Sequence, residues 1–67
     1  MFKVGDRVRL VGEDIRNLVG YTGEIVEIDD DPHWPYEVRL DPGSLADFFN
    51  NVGGGSVPMG LHNLELI

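Results

Sequence analysis

The run Ile28-Asp29-Asp30-Asp31-Pro32-His33-Trp34-Pro35-Tyr36-Glu37-Val38 gathers three consecutive carboxylates, an imidazole and the chain's only tryptophan around two prolines. Carboxylate oxygens beside an imidazole, with His62 as a second imidazole further on, are donor types that a divalent cation accepts. A calcium loop, however, needs its acids at alternating positions around a central glycine, and consecutive residues of a turn do not all point one way. The expectation is therefore no metal site and a charged hairpin tip, whose carboxylates keep the turn in solvent.

Nucleophilic catalysis has less to draw on. The chain has no cysteine, and Ser44 and Ser56 each follow a glycine, with no activating motif beside them. Acid–base work by two carboxylates needs a dry pocket that drives their pKa values apart. A chain of 67 residues buries only about 60% of the surface its unfolded form exposes, which leaves little volume to enclose such a pocket. The chain is expected to be non-catalytic and to need no cofactor.

Trp34 carries more information. Pro32 and Pro35 fix their own φ and steer the residues before them away from helix, so His33-Trp34 is held extended at low entropic cost. Two roles follow for the indole. Folded inward beside Tyr36, it lids the open end of a small barrel, and this is the role expected here; turned outward, it is a preorganised anchor for a protein partner. Phe48 and Phe49 pose a similar choice, because adjacent positions on a helix cannot both face the core. The candidate protein-binding residues are Trp34, His33, Tyr36, Phe48 and Phe49.

The elements that must hold these residues are mostly strands. Val8 and Leu10 alternate with Arg7 and Arg9, and Tyr36, Val38 and Leu40 alternate with Glu37 and Arg39, the period of half-buried strands. Residues 21–29, YTGEIVEID, break that alternation at Ile25-Val26, which suits a central strand with a bulge next to Gly23. Leu64 and Leu66 share one face of a short closing strand. Between the strands stand turn signals such as Asp31-Pro32, Asp41-Pro42-Gly43 and the Gly53-Gly54-Gly55-Ser56 run. In SLADFFNN, Ser44 stands as a cap, Asp47 follows three residues later, and Leu45, Phe48 and Phe49 have i, i+3, i+4 spacing; this predicts one or two helical turns. The fold class expected is all-β: a small, five-stranded antiparallel SH3-like barrel over residues 1–67 as one domain, with a short helix before the last strands.

Composition restricts the partners. Twelve acidic residues against five basic ones give a net charge of −7, which disfavours phosphate-rich partners such as nucleic acid or anionic membrane. No apolar run is long enough to cross a membrane, and the first residues lack the continuous apolar segment of a signal peptide, so a cytoplasmic location is expected. Exposed strand edges leave monomer or weak homodimer open.

Gly5-Asp6-Arg7-Val8-Arg9-Leu10, Gly23-Glu24-Ile25-Val26-Glu27-Ile28, Tyr36-Glu37-Val38-Arg39-Leu40-Asp41 and Asn63-Leu64-Glu65-Leu66 together resemble the strand sequence of SH3-like barrels. The layout is similar to that of the electron-transport accessory group, the photosystem I PsaE-type subunits and the variable chains of ferredoxin-thioredoxin reductase. Pro35 to Asp41 is the closest local match. This resemblance implies a small, non-catalytic accessory subunit that docks onto a larger protein complex. The residues themselves point to docking by the loops around Trp34 and around Phe48-Phe49, with acidic rims selecting a partner of basic or mixed charge. A weaker, KOW-like similarity over Gly20 to Ile28 implies the alternative of a nucleic-acid or ribosome-associated module, using Lys3, Arg7, Arg9 and Arg39. The bland role for these arginines is cross-strand pairing with Glu24, Glu27 or Glu37. A regulatory protein, of phage or host, that blocks a larger machine is a third possibility.

Overall fold

The computed structural model describes residues 2–67. Five strands form its framework: β1 (Arg7–Leu10), β2 (Thr22–Ile28), β3 (Tyr36–Leu40), β4 (Val57–Met59) and β5 (Leu64–Leu66). They form one antiparallel sheet in the order β4-β3-β2-β1-β5, curled into a half-barrel that is compatible with an SH3-like barrel. A kinked 3-10 segment, Glu13–Leu18, follows β1, and a 3-10 turn, Leu61–Asn63, joins β4 to β5. One α-helix among the described residues, α1 (Ser44–Val52), lies in the long connection between β3 and β4.

The period-two pattern sets the inside and the outside. Val8 and Leu10, Tyr36, Val38 and Leu40, and Val57 and Met59 all turn inward and are buried with Ile25 and Leu64. Each such side chain removed from water contributes about 1.5–3 kcal/mol. Ala46 and Phe49 bring α1 onto this core, and Phe2 packs edge-on against Tyr36 at a centroid distance of 5.7 Å.

Three details differ from the sequence expectation. The bulge falls at Val26, where the pairing with β3 shifts between Ile25 and Glu27, rather than beside Gly23. Gly23 serves another purpose: a Cβ there would collide with the carbonyl of Arg39, so the missing side chain lets β2 and β3 approach. The cap position of α1 is Gly43, one residue before Ser44, with Asp47 N–H donating to the Gly43 carbonyl at 2.7 Å. The side chain of Ser44 lies outside the described residues.

β4 contains Pro58, which cannot donate to a ladder, and it is accordingly an edge strand. No helix among the described residues is long and apolar enough to cross a membrane.

Candidate docking surface around Trp34

The loop from Asp29 to Pro35 is built by its own carboxylates. Asp29 accepts from the Asp31 N–H at 2.9 Å, and Asp31 accepts from both His33 N–H at 2.8 Å and Trp34 N–H at 2.9 Å. The Asp29 N–H in turn donates to the Pro35 carbonyl at 2.8 Å and closes the loop at its base. The backbone hydrogen bonds from Trp34 and His33 hold the Asp31 carboxyl below its ordinary pKa, because they stabilise the anion. Two of the three aspartates are thus turn formers, a role beyond the solubility expected of them. Asp-x-x side chains capping their own following amides are a recognisable local pattern.

Trp34 emerges from this loop 52% exposed. It does not fold inward as the lid expected of it; Phe2 lies edge-on against Tyr36. The physical reason is the pair of prolines together with the Asp31 cap, which fix the loop backbone in a course that leaves the indole half in solvent. His33 accompanies it, the two rings tilted and 5.9 Å apart.

Two more segments complete the surface. Beside Trp34 runs an open groove of about 480 Å³ lined by Asp14, Pro32, His33, Trp34, Leu61 and His62. Its far wall is held by Asn63, which is fully buried. The Asn63 side-chain oxygen accepts from Gly60 N–H at 3.1 Å, while its amide nitrogen donates to the Val11 carbonyl at 3.2 Å and to Asp14 Oδ1 at 3.0 Å. The other Asp14 oxygen meets His62 Nε2 at 2.9 Å. A carboxylate only accepts, so His62 carries its proton on Nε2. The His62 hydrogen bond, followed by that from Asn63, lowers the Asp14 pKa.

The close fit of the three segments also explains two glycines. Gly12 has a φ of 111°, and a Cβ on it would stand 2.9 Å from both Asn63 Nδ2 and Asp14 Oδ1. A Cβ on Gly60 would stand 2.9 Å from the His33 carbonyl oxygen. Sequence reasoning missed Asn63, Asp14 and Leu61 as parts of this surface. The available signal was the pairing of Gly12 and Gly60 with nearby side chains able to bridge backbone segments, which only the folded topology makes meaningful.

The remaining candidates separate. Tyr36 is 6% exposed and belongs to the core, facing Met59 across the β3–β4 pair. Phe48 is 58% exposed on the outer side of α1, and Phe49, 5.5 Å away edge-on, packs against the core. Leu45 and Val52 are exposed on α1 with Phe48. This helix face is a second apolar patch, distinct from the Trp34 groove.

The basic residues are spread over the outer face of the sheet. Arg7 pairs with Asp41, Arg9 pairs with Glu65, and Arg39 stands opposite Glu24 in register. Lys3 is exposed near the start of the chain, its backbone N–H donating to Asp6. Of the carboxylates expected to face the arginines, Glu24 lies between Arg7 and Arg39, whereas Glu27 stands opposite Glu37. Ser56 donates its hydroxyl proton to Glu37 at 2.7 Å. Among the described residues no group of three or more His, Cys, Asp or Glu side chains is arranged to hold a metal ion.

No protein-family model, curated protein or solved structure matches the chain, so its function has to be argued from the half-barrel and from the surface around Trp34.

Proposed function

We propose that the chain is a small, non-catalytic protein-interaction module or accessory subunit that docks onto a larger protein complex through its loop aromatics. One observation carries this reading: an indole half-exposed to water, on a loop tied by two prolines and three side-chain-to-backbone hydrogen bonds. Exposing a large aromatic forgoes burial, and a small domain has few such residues to spare. Holding it rigidly reduces the entropy lost when a partner covers it. Exposed Phe48 on α1 offers a second, separate contact.

The arginine-based alternative, nucleic-acid binding, has weaker support, since Arg7 and Arg9 already have carboxylate partners. Binding that depends on phosphate would have to displace those partners against a net charge of −7.

The test is capture of partners from the source cell by immobilised protein, comparing wild type with Trp34→Ala and Phe48→Ala, each checked for folding by circular dichroism. The expected result is a defined complex that Trp34→Ala depletes by tenfold or more while remaining folded. Identical capture by wild type and both folded variants would remove the loop aromatics from the function.

A further inference from the structure

We infer that the groove beside Trp34 receives the lysine or arginine side chain of an extended partner segment, its cation against the indole and its apolar neighbour against Leu61. The inference rests on the docking reading above and specifies the chemistry of the partner.

The distribution of charge points to this occupant. Three of the five basic side chains, Arg7, Arg9 and Arg39, lie on the outer sheet face beside Asp41, Glu65 and Glu24. Neither Lys3 nor Arg16 lines the groove. Asp14 is the acid that lines the groove, and Asp29, Asp30 and Asp31 stand in the loop that carries Pro32, His33 and Trp34 to it. Among the described residues Asp29, Asp30 and Asp31 have no ion-pair partner, and Asp14 has only the imidazole of His62. Asp30 also makes no hydrogen bond among the described residues. The groove thus combines an aromatic side chain with the Asp14 carboxylate and an adjoining acidic loop, and both attract a cation.

Geometry narrows the form of the ligand. The groove is bounded by three backbone segments and has an open volume of about 480 Å³, room for one long side chain and its neighbours rather than for a packed helix. Leu61 is exposed at its edge and provides the apolar contact. Asp14 is fixed by Asn63 and His62, so its charge is positioned before any ligand arrives. The long alkyl stem of lysine or arginine suits such a site, with methylenes along the indole and the charged head toward the acids.

Trp34 is the only tryptophan, so its fluorescence reports on the groove directly. The probes are three end-blocked ten-residue peptides of alternating leucine with lysine, norleucine or glutamate, titrated at about 0.15 M salt, where the Debye length is ≈ 8 Å and distant charges are screened. The lysine peptide is expected to change Trp34 emission saturably and to bind at least tenfold tighter than the norleucine peptide, with no saturation by the glutamate peptide. Asp30→Asn is expected to weaken the lysine peptide several-fold and to leave the norleucine peptide unchanged, and calorimetry with Phe48→Ala should show unaltered affinity. Equal binding of the lysine and norleucine peptides overturns the cation assignment while leaving docking through Trp34 in place. Failure of all three peptides to bind overturns the inference itself. The docking reading falls separately, through capture that is indifferent to Trp34.

Discussion

The Arg7 guanidinium donates to both carboxylate oxygens of Asp41, 34 residues further along the chain, reaching across β2 to tie the start of β1 to the end of β3. The Thr22 hydroxyl donates to the same carboxylate, so three strands meet at one anion. The Arg7 hydrogen bond first, and then Thr22, hold the Asp41 carboxyl at about 2, against about 3.9 in an unfolded chain. A carboxylate depressed in this way binds fewer protons folded than unfolded. Its stabilisation is complete above about pH 4 and is lost as the pH falls through about 2. The side chains are 47% and 40% exposed, so solvent screening keeps the contribution small. Urea melts from pH 6 to pH 2 should show stability falling on acidification, and Asp41→Asn should remove part of that slope. An unchanged slope in the variant would exclude the pair as its source.

Asn63 joins three backbone segments from a fully buried position, and its loss should be felt beyond its size. Asn63→Ala leaves the Gly60 N–H without its side-chain acceptor and removes a donor from Val11 and Asp14. Each buried group so stranded costs about 1–3 kcal/mol. Denaturant melts should place the variant in that range or above. Asn63→Asp should destabilise as well, since it sets a second carboxylate against Asp14, and should recover part of its stability near pH 4 as one carboxyl takes up a proton. A variant as stable as wild type at neutral pH would mean that water replaces these hydrogen bonds.

Glu27 and Glu37 face each other across β2 and β3, a like-charge pair next to the bulge. Directly opposed charges of one sign destabilise, and an opposite-charge pair contributes roughly 0.2–1 kcal/mol relative to alanine pairs. Glu27→Lys should therefore raise the melting temperature, most visibly at low salt. The gain should shrink as salt rises toward 1 M, where screening acts within about 3 Å. Glu27→Gln should lie between the two.

The strands with strict alternation were legible because burial imposes the period: Val8-Leu10 and Tyr36-Val38-Leu40 all lie in the core. β4 was hidden by Pro58, which argues against a central strand but is tolerated at an edge. The bulge moved to Val26 because Gly23 is held in register by its approach to the Arg39 carbonyl, a contact between strands that no local pattern records. Around Trp34 the rigidity of the loop could be read from Pro32 and Pro35. Its direction could not, because that depends on which carboxylate caps which amide. Asp14, Leu61 and His62 come to the same groove only through the pairing of β1 with β5.

Trp34 and Tyr36 stand two residues apart and should respond to alanine in opposite ways. Tyr36 is buried and carries the edge-on contact with Phe2, so Tyr36→Ala removes a large part of the core. Truncating a buried aromatic costs about 3–5 kcal/mol, enough to unfold a domain this small. Trp34 is half-exposed on a loop whose hydrogen bonds are made by backbone amides and aspartates, and those survive the loss of the indole. Trp34→Ala should change stability by no more than about 0.5 kcal/mol, the range of an ordinary surface substitution. Urea denaturation followed by circular dichroism measures both. Wild-type folding of Trp34→Ala, together with lost peptide or partner binding, assigns the indole to recognition; a loss of 2 kcal/mol or more would return it to the lid.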